Sequence, residues 1–80
     1  MVAFGGFAGT TNQTIVYDRV AHCIVISNEG TGDVTITAGT AFNDLFTFTV
    51  KPGVVLDERI DRFDRVRVVS NGSAYTGYVL

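Results

Sequence analysis

The sequence predicts one small all-β domain, a jelly-roll-like antiparallel β-sandwich of about seven strands. Three observations carry that prediction. Val, Ile and Thr fill 27 of the 80 positions, while Leu and Lys together number four. Branching at Cβ restricts side-chain rotation in a helix and packs well on a pleated sheet. Turn-forming clusters divide the chain at short intervals, and several segments between them alternate apolar and polar residues with the period of a half-buried strand.

Residues 1–11 form a low-charge Gly/Ala/Phe/Thr segment and are expected to be a flexible arm, leaving 12–80 as the single sandwich domain. A first strand is predicted over Thr14–Arg19. Ala21–Ser27 is apolar on both faces and should lie centrally. Asn28–Asp33 is rich in Gly and acids and reads as a hairpin loop. Val34 and Ile36 alternate with Thr35 and Thr37, and Phe46, Phe48 and Val50 alternate with Thr47 and Thr49, so Asp33–Ala38 and Leu45–Val50 are strands on either side of a loop. Lys51-Pro52-Gly53 suits a turn in which proline fixes φ and glycine accepts a positive φ. Val54–Arg59 and Arg65–Ser70 follow as strands. Asn71-Gly72 predicts a tight hairpin into Ser73–Leu80. The expected core is Ile24, Ile26, Val34, Ile36, Phe46, Phe48, Val50, Val68 and Val79. Between Asp57 and Arg67 the spacing of Ile60 and Phe63 departs from strand alternation, which admits a helical or 3₁₀ turn around Asp61–Asp64.

An 80-residue chain buries only roughly 60–65% of its unfolded surface, so small domains often add disulfides, metals or subunit contacts. Cys23 is the sole cysteine and lies in an apolar run, where a small buried hydrophobe is expected. No His/Cys cluster has zinc spacing. Subunit contacts remain. The net charge of −2 and the single lysine give no cationic face for nucleic acid. No apolar run approaches the roughly 20 residues that cross a bilayer as a helix. The N-terminus lacks the cationic region of a signal peptide, so synthesis in a reducing cytoplasm without signal-directed secretion is expected.

Candidate chemistry is sparse. His22 falls mid-strand on the predicted face of Ile24 and Ile26, which suits packing rather than catalysis. Asp57, Glu58, Asp61 and Asp64 could serve as acid and base or hold calcium, but Arg59, Arg62, Arg65 and Arg67 interleave with them. A salt-bridged strip follows, and the arginine fork also suits contacts between subunits. The loop Glu29-Gly30-Thr31-Gly32-Asp33 lacks the lysine of a phosphate loop. Phe4 and Phe7 stand among glycines and could dock in a groove, on a neighbouring subunit for example. No catalytic residue, metal or cofactor is expected, and the candidate interface comprises Phe4, Phe7, Arg59, Asp61, Arg62, Asp64, Arg65 and Arg67.

From Ile24-Val-Ile-Ser-Asn28 through Gly32-Asp-Val-Thr-Ile36 to Phe48-Thr-Val-Lys-Pro-Gly53 and Phe63-Asp-Arg-Val66, the pattern resembles small β-sandwich virion proteins of tailed bacteriophages. The resemblance spans roughly residues 20–80 and rests mostly on turn chemistry. It implies a non-enzymatic structural role, as a capsid decoration protein or a tail- or baseplate-associated one. The implied partners are its own copies, as a trimer or other symmetric oligomer, and another virion protein. Nucleic acid and membrane are not implied. A carbohydrate-binding module is the competing reading, with Tyr17, Tyr75 and Tyr78 as aromatic surfaces, although Tyr75 and Tyr78 point to opposite faces of a strand.

Overall fold

The computed structural model describes residues 3–80, apart from the side chain of Asp61; Met1 and Val2 lie outside the described residues. The described chain is all-β and antiparallel. Its strands are β1 (Phe4–Gly9), β2 (Gln13–Asn28), β3 (Val34–Gly39), β4 (Asp44–Val50), β5 (Val55–Ser70) and β6 (Tyr75–Val79). They form one sheet in the order β1-β6-β2-β5-β3-β4.

The sandwich arises because β2 and β5, 16 residues each, serve both layers. The first half of β2 pairs with the second half of β5, from Gln13↔Val68 to Val16↔Arg65, and the second half of β2 pairs with the first half of β5, from Cys23↔Arg59 to Ser27↔Val55. Between these runs the register breaks on both sides of Ala21, and Arg62 adopts φ 59°. Strand β6 joins only the second half of β2, and β3 joins only the second half of β5. The ribbon therefore turns a corner at the break, as strands that switch layers do at bulges. One layer holds β1, β6 and the adjoining halves of β2 and β5. The other holds the remaining halves, β3 and β4. The smallest dimension of 17 Å accommodates two layers about 10 Å apart and no third.

Each layer sends side chains to a shared core. Phe7, Ile24, Ile26, Tyr75 and Val79 come from the first, and Val34, Ile36, Val50, Val66 and Val68 from the second. Ala21, Ile60 and Phe63 fill the corner and are almost wholly buried. No buried side-chain nitrogen or oxygen among the described residues lacks a partner.

Each of the seven predicted strand segments overlaps an observed strand, four of them fused pairwise in β2 and β5. Several finer expectations are corrected. Residues 4–9 are not a flexible arm but edge strand β1 on β6, and residues 10–12 are tied down by Gly72 N–H to Thr10 O, Tyr75 Oη to Thr11 O and Ser70 N–H to Asn12 Oδ1. No helical turn forms at 61–64; the strand bends instead. Asn71-Gly72 does not close a hairpin, because β6 crosses to the other layer and pairs with β2 and β1. Asn28–Asp33 is likewise a crossing between layers. Among the described strands only β3–β4 is a hairpin between consecutive strands. Lys51–Val54 does form the predicted turn: Val54 N–H donates to Lys51 O at 3.0 Å, with Gly53 at φ 78°.

Candidate functional site

The structure separates the predicted interface residues. Phe7 is buried, its ring centroid 6.3 Å from that of Tyr75. It lies over Gly77, where a Cβ would sit 2.5 Å from Phe7 Cζ. Phe4 is half-buried, packed edge-on to Tyr17 at 5.7 Å, with the Arg19 guanidinium 3.8 Å above its ring. Both phenylalanines are therefore engaged within their own subunit. Burial also pushes the Tyr17 hydroxyl up to about 12, and that hydroxyl donates to Gly5 O at 2.8 Å.

The Arg/Asp strip divides at the bend. Arg59 is exposed on the first half of β5 and Arg62 is exposed at the corner, while the Asp61 side chain lies outside the described residues. Beyond the bend Asp64 is half-buried. Arg65 and Arg67 reach across β3 to Asp44 of β4, at 2.6 and 3.1 Å. Asp44 thus takes the place of the neighbouring acids as their partner. A carboxylate held by two guanidinium groups fixes the edge strand to the rest of its layer, at a modest energetic gain because all three groups are partly solvated.

His22 does not share the face of Ile24 and Ile26. The register shift beside Ala21 turns Ala21 inward instead and leaves His22 and Cys23 half-exposed. Cys23 is therefore not the buried hydrophobe its apolar surroundings predict. The backbone N–H groups of both residues donate to Leu80 O, at 2.6 and 3.0 Å. Among the described residues no three His, Cys, Asp or Glu side chains converge on a metal position, and no concave pocket opens. The tyrosine platform is dismantled as well: Tyr75 is 1% exposed, with its hydroxyl bonded to Gln13 and Thr11. Tyr78 alone of the three is well exposed.

What the fold does expose is an apolar edge. Phe46 and Phe48 face Ala38 and Ile36 of β3 on the core side of the layer, yet Phe46 is 47% exposed and Phe48 only half-buried. The sequence places both in the core. Their alternation is correct, but β4 is the last strand of its layer, so Phe48 packs only partly against the core and Phe46 is left largely exposed. The two rings stack nearly parallel, 6.0 Å apart and 11° from coplanar. Leu45 is exposed on the same strand, and Phe42, in the preceding loop, is 92% exposed. Phe42 was legible only as a loop aromatic; the edge position of β4 depends on strand order and had no local signal.

No protein-family model matches the chain, and no curated protein or solved structure matches it.

Proposed function

We propose that this chain is a non-enzymatic structural protein that acts by protein–protein contact, as a capsid decoration protein of a phage-like particle. The observation that supports contact as the mode of action is the grouping of Phe42, Leu45, Phe46 and Phe48 along the free edge of β4. Exposed apolar side chains grouped on one edge mark interaction sites in soluble proteins. A sheet edge adds a row of backbone donors and acceptors that a partner can satisfy. The particle itself enters through the resemblance of residues 20–80 to small virion proteins.

The test is mass spectrometry of purified virions from the genome that encodes the chain, followed by co-sedimentation of added protein with separated heads and tails. The expected result is a fixed copy number on heads. Binding to tails alone would refute decoration while keeping a structural role. Absence from both, or saturable binding to a glycan panel, would overturn the proposal.

A further inference from the structure

We infer that a second copy of this chain pairs antiparallel along β4, about a two-fold axis at Thr47, so that the two sheets run on as one. Two whole strands, β1 and β4, have a free edge; the first halves of β2 and β5 are also unpaired on one side, but they carry Asp18 and Arg19, and Asp57, Glu58 and Arg59. The edges of β1 and β4 are built differently. Strand β1 is guarded: Gly5 has φ 60°, the register shifts between Phe4 and Phe7, and Arg19 lies over Phe4. Bulges, glycine and nearby charge are the usual means of blunting an edge. Strand β4 has none of these from Phe46 to Val50; its own register shift falls at Leu45, between Phe46 and Asp44. Its pairing with β3 is regular from Val34↔Val50 to Ala38↔Phe46, and the segment contains no charge, glycine or proline.

The β4 sequence is also self-complementary. A two-fold axis at Thr47 sets Phe46 against Phe48 of the second copy, and brings Leu45 and Asp44, beyond the register shift, to the level of Thr49 and Val50. Cross-strand aromatic pairs are among the favourable ones in antiparallel sheets. Two such pairs would join the Phe46–Phe48 stacks of both copies into one ladder and cover the faces now left open. The strand ends fit too. One end carries Asp44 with Arg65 and Arg67, and the other carries Lys51 bound to Asp33 at 3.0 Å. Antiparallel pairing brings these two groups together at both ends, so each meeting contains both signs. A closed two-fold contact also uses the same patch on both subunits and stops at two.

Sedimentation equilibrium tests the pairing, combined with oxidative cross-linking in a Cys23→Ser background. The expected mass is twice the 8.6 kDa of the chain. Thr47→Cys should cross-link to itself in most of the protein, because residues directly opposite have Cβ atoms about 4.5–5.5 Å apart. Thr49→Cys should do so at least about ten-fold less, since it lies level with Leu45, about 13 Å along the strand from its own counterpart. Phe46→Lys should weaken association at least about ten-fold while leaving the far-ultraviolet circular dichroism unchanged, because the ring is half exposed. A monomer up to millimolar concentration, a trimer, a mass that grows without limit, or equal cross-linking at 47 and 49 would each overturn the pairing. The pairing goes beyond the proposed function: a monomer that still binds heads would sink only the pairing, and a dimer absent from particles would sink only the decoration role.

Discussion

Asn28, 1% exposed at the end of β2, stands where three connections meet. Its Nδ2 donates to Gly32 O at 2.7 Å and Val50 O at 2.8 Å. Its Oδ1 accepts from Gly30 N–H at 3.1 Å and Ser73 Oγ at 2.7 Å. Its backbone carbonyl accepts from Gly53 N–H, and its own N–H donates to Val54 O. One residue therefore holds these connections against the strand that bridges the layers, its side-chain amide gripping 29–33, 71–74 and the end of β4, and its backbone gripping 51–54. The side chain uses both donors and both acceptor positions, and no other residue of similar volume offers that set. Replacement by leucine keeps the volume but leaves buried groups unpaired, each costing roughly 1–3 kcal/mol. Asn28→Leu should therefore lower the unfolding free energy by about 3 kcal/mol, a large part of the roughly 4–12 kcal/mol expected of a domain this size. Urea unfolding checks this through the midpoint at constant slope. A loss below about 1 kcal/mol would mean that water replaces the amide with little penalty.

At the scale of the element, the bend in β2 and β5 decides the architecture, and the sequence shows it only indirectly. Ile60 and Phe63 are both buried although three residues apart, and so are Ala21 and Ile24. An unbroken strand would send such pairs to opposite faces. That spacing was legible between Asp57 and Arg67, but it fits a helical turn as readily as a kinked strand. Long-range pairing across the corner, Ala21↔Phe63, selects the kink. Arg62 supports it at φ 59°, a conformation that costs a non-glycine residue roughly 1–2 kcal/mol. Glycine takes that conformation without strain but gives up more chain entropy on folding, which offsets part of the gain. Arg62→Gly should thus stabilise the domain by about 0.5–1 kcal/mol, whereas Arg62→Val, β-branched and poorly suited to positive φ, should destabilise it by about 1–2 kcal/mol. Thermal and urea unfolding of the two variants should give opposite signs. The same sign for both would show that the backbone at 62 is not what the side chain resists.

For the whole molecule, what the sequence could not show is which strand lies beside which. Alternation reports the face of a residue, and it placed Val34, Ile36, Val50, Val68 and Val79 correctly inside. It carries no information on neighbours, so Asn71-Gly72 read as a hairpin and the Phe46 ring as core. The candidate surface was illegible for the same reason: Phe4 and Phe7 looked free until β1 found β6, and Arg65 and Arg67 found Asp44 across an intervening strand. These distant pairings bring the two ends of the fold together, since Phe4 lies opposite Val79 on adjacent strands. Leu80 is fastened beside them: its N–H donates to Cys23 O, and its carbonyl accepts from His22 and Cys23. A linker of about four residues from Leu80 to Ala3 should therefore turn β1–β6 into a local hairpin without moving either strand. The chain can then be opened between Ala41 and Phe42 in the exposed loop that joins β3 to β4. Four of the five strand pairings already join strands distant in sequence, so the permutation exchanges one local hairpin for another and leaves the balance of loop-closure entropy almost unchanged. The permutant should reach the same circular dichroism, lie within about 1 kcal/mol of the parent in urea, and refold on the millisecond-to-second scale of non-local β-topologies. A permutant that stays unfolded, while a chain carrying the same linker inserted in the 40–43 loop still folds, would show that β1 does not close the sheet beside β6.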